Sequence, residues 1–86
     1  MRLEFRQQAF EDLQYWVQMN PKVGKRLLRL IEETKRNPFG GAGKPEPLRG
    51  ELSGWWSKRI DQEHRLIYRV EGDSLIVAQA KGHYDD

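Results

Sequence analysis

Eighty-six residues with no cysteine, three Trp, three Phe, three Tyr and a formal net charge of +2 suggest one small domain, residues 1–86, whose thin core rests on large aromatic side chains. The missing cysteines exclude disulfide stapling and thiolate metal sites; no apolar run nears the ~20 residues of a membrane span and the N-terminus lacks a signal-peptide core, so a cytoplasmic protein without membrane contact is expected. Residues 22–69 hold 12 of the 15 Lys/Arg but 6 of the 13 Asp/Glu, leaving the ends net acidic; a basic middle suits a polyanion, although a solvated helix face produces the same pattern.

In chain order, Arg2-Leu3-Glu4-Phe5-Arg6 alternates charged and apolar residues and reads as a short strand with Leu3 and Phe5 inward. From Gln8 to Met19 the spacing predicts a helix with Phe10, Leu13, Trp16 and Val17 on one face. It stops at Asn20-Pro21, which serve as N-cap and first position of a second helix. That helix runs to about Lys35, with Val23, Leu27, Leu30, Ile31 and Thr34 inward, and the two form an antiparallel hairpin. Asn37-Pro38 ends it. The following loop contains Gly40, Gly41, Gly43, Pro45 and Pro47; its prolines stiffen the backbone on either side of Glu46, so it is an ordered loop that presents a side chain.

From Trp55 onward the pattern is strand, turn, strand, turn, strand, with turns at Asp61-Gln62-Glu63 and Glu71-Gly72-Asp73. Even positions (Trp56, Ile60, Leu66, Tyr68, Val70, Ile76, Ala78, Ala80) are mostly apolar. If parity carries across all three strands, that face packs on the helices, and Arg59, Arg65 and His83 meet on the other. Pairing around the first turn sets Arg59 opposite Arg65, a like-charge contact that a carboxylate such as Glu46 or a bound phosphate would relieve.

These residues suit metal-free cleavage of RNA, which carries its own nucleophile in the 2′-hydroxyl. The reaction needs a base for that proton, an acid for the departing 5′-oxygen and positive charge on the phosphate. Glu46 is the candidate base and His83, one of two histidines, the candidate acid. Arg59 and Arg65 are candidates to clamp the phosphate, and Tyr84 to stack or position it. Lys44, Arg49, Trp55, Lys58 and Lys81 complete a candidate RNA-binding surface. Each has a plainer reading: Glu46 as a loop glutamate, His83 as a tail histidine, the arginines as surface ion-pair partners, Trp55 as buried. His64, on the core-side parity, reads as structural. No metal or other cofactor is expected, since two histidines nineteen apart without cysteine match no common zinc spacing.

Several separated blocks agree in order and spacing with one family. Asn37-Pro38-Phe39, Gly43-Lys44-Pro45-Glu46-Pro47-Leu48, Leu52 to Ile60 (LSGWWSKRI), Glu63 to Tyr68 (EHRLIY) and the closing His83-Tyr84 resemble a YoeB-type toxin of the RelE-like toxin–antitoxin superfamily, over residues 1–84. The resemblance implies an α/β (α+β) fold, with two antiparallel N-terminal helices on a twisted, mostly antiparallel sheet. It implies an mRNA interferase that enters the ribosomal decoding site and cuts the message there. Glu46 would be the general base and His83 the general acid, with Arg59 and Arg65 stabilising charge and Tyr84 completing the site. It also implies a YefM-type antitoxin partner that covers the site, operator DNA bound only through the toxin–antitoxin complex, and a tendency to homodimers. Arg49 stands where the family usually has lysine, and Asp85-Asp86 extend past the closing tyrosine, where they would favour protonated His83 and repel phosphate. The competing readings are a non-catalytic RNA- or ribosome-binding module that blocks translation, and the gyrase-poisoning branch of the same fold, which would not need the Glu46/His83 pair.

Overall fold

Two helices cover one face of a five-stranded sheet in a computed structural model that describes residues 1–82. His83, Tyr84, Asp85 and Asp86 lie outside the described residues, and with them the expectations placed on the tail. The elements are β1 (Arg2–Phe5), α1 (Gln7–Met19), α2 (Pro21–Arg36), β2 (Glu46–Pro47), β3 (Trp56–Arg59), β4 (Arg65–Glu71) and β5 (Ser74–Gln79), with a 3-10 turn at Gly50–Leu52. The sheet order is β1-β5-β4-β3-β2. β1 runs parallel to β5, and every other neighbouring pair is antiparallel.

The second helix follows its sequence pattern. Asn20 Oδ1 accepts from the Val23 N–H, Pro21 occupies the first turn, and Val23, Leu27, Leu30, Ile31 and Thr34 are all buried. Gly24 is buried with them because a Cβ there would stand 3.5 Å from the α1 backbone at Trp16 and Val17, so the two helices cross closely. Thr34 is accommodated by donating its hydroxyl to the Leu30 carbonyl at 2.6 Å.

The first helix departs from expectation. Phe10 and Val17 are each 53% exposed, and the inward stripe is Ala9, Asp12 and Trp16, with Leu13 partly buried. The stripe is rotated towards a carboxylate because Asp12 has backbone to hold: its Oδ2 accepts from the Ala80 N–H at 2.8 Å, and its Oδ1 from Gln8 Nε2 at 2.9 Å. Leu3 is 43% exposed, leaving Phe5 to pack on the core.

Strand parity is conserved in β3–β4, where Trp56 pairs with Tyr68, Lys58 with Leu66 and Arg59 with Arg65. It does not carry into β5. The tight Gly72-Asp73 turn pairs Glu71 with Ser74 and Val70 with Leu75, so Leu75 and Val77, not Ile76, face the helices. A bulge then restores the original parity: Tyr68 pairs with Val77 but Ile67 with Gln79, and Ala80 returns to the core. The loop before β3 is tighter than an ordered loop, since Glu46 and Pro47 pair with Ser57 and Trp56 as an edge strand.

Candidate active site

Direct cross-strand partners share a face. Glu46 pairs with Ser57, Ser57 with Ile67 and Ile67 with Gln79, so a single row crosses four strands on the face turned from the helices. Two residues along, Arg59 and Arg65 form the next row on that same face. With strands about 4.8 Å apart and residues about 3.4 Å apart along them, the Glu46 and Arg65 Cα atoms stand roughly 12 Å apart. Extended side chains from both positions can bracket one phosphodiester across that gap. The structure therefore brings Glu46, Arg59 and Arg65 together on one surface: Glu46 and Arg59 exposed, Arg65 half-buried.

Gly43 makes this placement of Glu46 feasible. Its carbonyl accepts from the Arg59 N–H at 2.7 Å, its φ is +88°, and a Cβ would come within 2.9 Å of the Lys58 Cβ. Only glycine allows the loop backbone this close to β3, which sets the short Lys44-Pro45-Glu46 path onto the sheet edge. Lys44 is exposed, in the left-handed region at φ +50°. Arg49, just past β2, is also exposed.

Lys58 must be corrected. The parity that sends Trp56, Leu66 and Tyr68 inward sends Lys58 inward too. Its side chain is fully buried, and its ammonium donates to the Asn37 carbonyl at 3.1 Å, at the C-terminal end of α2 where the helix dipole is negative. Burial lowers the Lys58 pKa, partly countered by the nearby Glu33 carboxylate. Lys58 is a helix-end cap whose side chain is withdrawn from the exposed face on which it was expected. Beside it, the buried Tyr68 hydroxyl donates to the Pro38 carbonyl, and burial pushes its pKa upward.

Two other candidates are engaged elsewhere. Trp55 is half-buried with the Arg69 and Arg6 guanidiniums 4.6 and 5.2 Å from its ring centroid, so it is not an open stacking platform. Lys81 is exposed, with its ammonium 3.8 Å from the Tyr15 ring on α1. Arg69 follows Arg65 on the same odd parity, and its guanidinium bonds Glu71 at 2.6 Å; among the described residues its buried Nε has no hydrogen-bond partner.

The described chain ends beside this surface. After β5, Ala80 donates its N–H to Asp12, and its carbonyl accepts from Trp16 Nε1 at 2.8 Å. Gly82 donates its N–H to His64 Nδ1 at 2.9 Å, while its carbonyl accepts from the Arg65 N–H at 3.0 Å. His64, read as structural from its parity, also packs edge-on against Trp16 at 4.7 Å between centroids.

Comparison with known proteins is consistent across sequence and fold. Residues 5–84 match the model of the YoeB-like toxins of bacterial type II toxin–antitoxin systems. A toxin YoeB from Streptomyces coelicolor is 50% identical over 84 residues, covering 98% of this chain and all of that one. The structure of a YoeB/ParE toxin from Agrobacterium tumefaciens superposes with a TM-score of 0.94 at 41% identity, over 98% of this chain and 100% of that one. YoeB in a YoeB–YefM complex from Staphylococcus aureus superposes with a TM-score of 0.88 at 41% identity, over 98% of both chains.

Proposed function

The chain belongs to the YoeB-like toxins of bacterial type II toxin–antitoxin systems, and from that premise we propose that it is an endoribonuclease that cuts messenger RNA in the ribosomal decoding site. The observation that carries the reading is the shared face of Glu46, Arg59 and Arg65. A carboxylate beside two guanidiniums is a base next to an anion clamp, which is what attack by a 2′-hydroxyl requires.

The reaction is balanced without a cofactor. Glu46 takes the 2′-hydroxyl proton as that oxygen bonds to phosphorus. Arg65 and Arg59 carry the charge that builds on the equatorial oxygens. The bond to the 5′-oxygen breaks, and His83 supplies the proton this leaving group needs, with Tyr84 positioning the phosphate. The products are a 2′,3′-cyclic phosphate and a 5′-hydroxyl. Lys44 and Arg49 extend the positive surface along the β2 edge, where they would hold the flanking backbone of the message.

In the cell this surface is held inactive by an antitoxin of the YefM type, a reading supported by the S. aureus complex. Its site of action is the cytoplasm, where translating ribosomes are found; among the described residues no helix is long and apolar enough to cross a membrane.

The test is incubation with translating ribosomes kept in the Mg²⁺ their assembly needs, with a chelator selective for zinc and other transition metals added. The expected result is message cut within the decoding-site codon, leaving a 2′,3′-cyclic or 3′-phosphate end. The exposed basic groups also fit a module that blocks ribosomes without cutting. Glu46→Ala and His83→Ala separate the two: cleavage vanishes and ribosome binding survives under the proposal, whereas translation remains blocked under the alternative.

A further inference from the structure

We infer that His64 is a positioning residue for the nuclease site, acting with Asp12 and Trp16 as a side-chain clamp that holds the chain between β5 and the candidate acid. The inference rests on the proposed role of His83, yet its geometry lies wholly in residues 12 to 82. β5 ends at Gln79, and beyond it the regular ladder gives way to individual contacts. At Ala80 both backbone groups are met by α1: Asp12 accepts from the N–H and Trp16 donates to the carbonyl. At Gly82 both are met by adjacent residues of the β3–β4 connection and β4: His64 Nδ1 accepts from the N–H, and the Arg65 N–H donates to the carbonyl. The two halves are joined through the edge-on contact of the Trp16 and His64 rings.

Nothing in the core requires a histidine here. The slightly larger ring of phenylalanine offers the same kind of edge-on contact to Trp16. What histidine adds is an acceptor at Nδ1 aimed at one backbone N–H, and that N–H lies one residue before His83. The acceptor role also fixes the ring's orientation, with Nδ1 turned to the Gly82 N–H and Nε2 standing 3.6 Å from Glu63 Oε2. His64 is further held by its own N–H, which donates to Asp61 Oδ1 at 2.7 Å in the turn that also sets Arg59 opposite Arg65. One turn therefore sets both the arginine pair and the acceptor that holds the Gly82 N–H, and Gly82 itself sits at φ +90°.

The test uses the full-length toxin on translating ribosomes, with His64→Phe (ring kept, acceptor removed) and His64→Asn (a side-chain acceptor near the Nδ1 position). For His64→Phe the expected result is a fall in kcat of about 10- to 100-fold, the scale of a misplaced reacting group, with KM for ribosomes held to about twofold. Amide exchange at Gly82 should accelerate in step. His64→Asn should recover most of kcat and of the Gly82 protection. Wild-type kcat in His64→Phe overturns the inference, as does an equal loss in both variants that simply follows thermal stability. His83→Ala separates the two levels. If it is inactive while His64→Phe cuts normally, the clamp is wrong and the nuclease reading stands; if it cuts like the wild type, the acid assignment falls and takes the clamp's role with it.

Discussion

Arg59 and Arg65 stand directly opposite one another across β3 and β4, on the sheet face turned away from both helices. Like charges in that relationship oppose folding, and a bound anion between them would relieve the cost. Arg59→Gln should therefore leave stability unchanged or raise it by roughly 0.5 kcal/mol while cleavage falls about tenfold or more. Urea unfolding and a ribosome cleavage assay on the same preparation measure both. A clear loss of stability would mean the pair is already bridged in the free protein.

Glu46 is exposed at the sheet edge, paired with Ser57 across the β2–β3 ladder. Glu46→Gln should shift the unfolding free energy by less than about 0.5 kcal/mol and lower kcat by about 10²- to 10⁴-fold. Ribosome affinity, read by co-sedimentation, should hold. A large stability change would recast Glu46 as a structural residue.

Gly43→Ala attacks the same group from behind. The added Cβ meets Lys58 Cβ at 2.9 Å and sits at a φ of +88°, so the loop must lift from β3. The expected cost is about 1–3 kcal/mol, together with reduced cleavage as Glu46 shifts. Chemical denaturation and cleavage rates should move together, unlike in Glu46→Gln.

Alkaline stability follows from two buried groups of opposite sign. Lys58 has a folded pKa below its usual 10.5, so the unfolded chain binds more protons between the two values and stability rises with pH across that window. Tyr68 has a folded pKa raised above its usual 10.0, so its contribution is complete below that value and is lost as pH climbs beyond it. Urea midpoints between pH 8 and 12 should show the gain disappear in Lys58→Met and the high-pH loss disappear in Tyr68→Phe. Lys58→Met should also bind RNA as well as the wild type, because its ammonium caps α2 at the Asn37 carbonyl.

Much of this arrangement was legible in the sequence where one interaction dominates. The α2 stripe at Val23, Leu27, Leu30, Ile31 and Thr34 is set by hydrophobic spacing alone, and the Arg59–Arg65 register by a single short turn. What escaped depends on partners distant in sequence. Asp12 is buried because the Ala80 N–H, 68 residues away, needs an acceptor, and no periodicity carries that information. The parity error in β5 came from one residue: the Gly72-Asp73 turn flips the strand, and the bulge after Val77 flips it back. Lys58 obeyed the strand alternation, but its charge argued for the surface until the end of α2 supplied a carbonyl. Glu46 was legible through its flanking prolines, although its place on a sheet edge needed the Gly43 contact that only coordinates reveal.

The central claim is that the message is cut by its own 2′-hydroxyl, with Glu46 removing the proton. It is tested most directly by programming ribosomes with a message carrying one 2′-deoxynucleotide immediately 5′ of the scissile linkage. The account predicts that toxin binds these ribosomes normally and leaves that linkage intact, while an all-ribose message in parallel is cut to a 2′,3′-cyclic phosphate. Cleavage of the 2′-deoxy linkage at the ordinary rate would contradict it, because the nucleophile would then have to come from elsewhere.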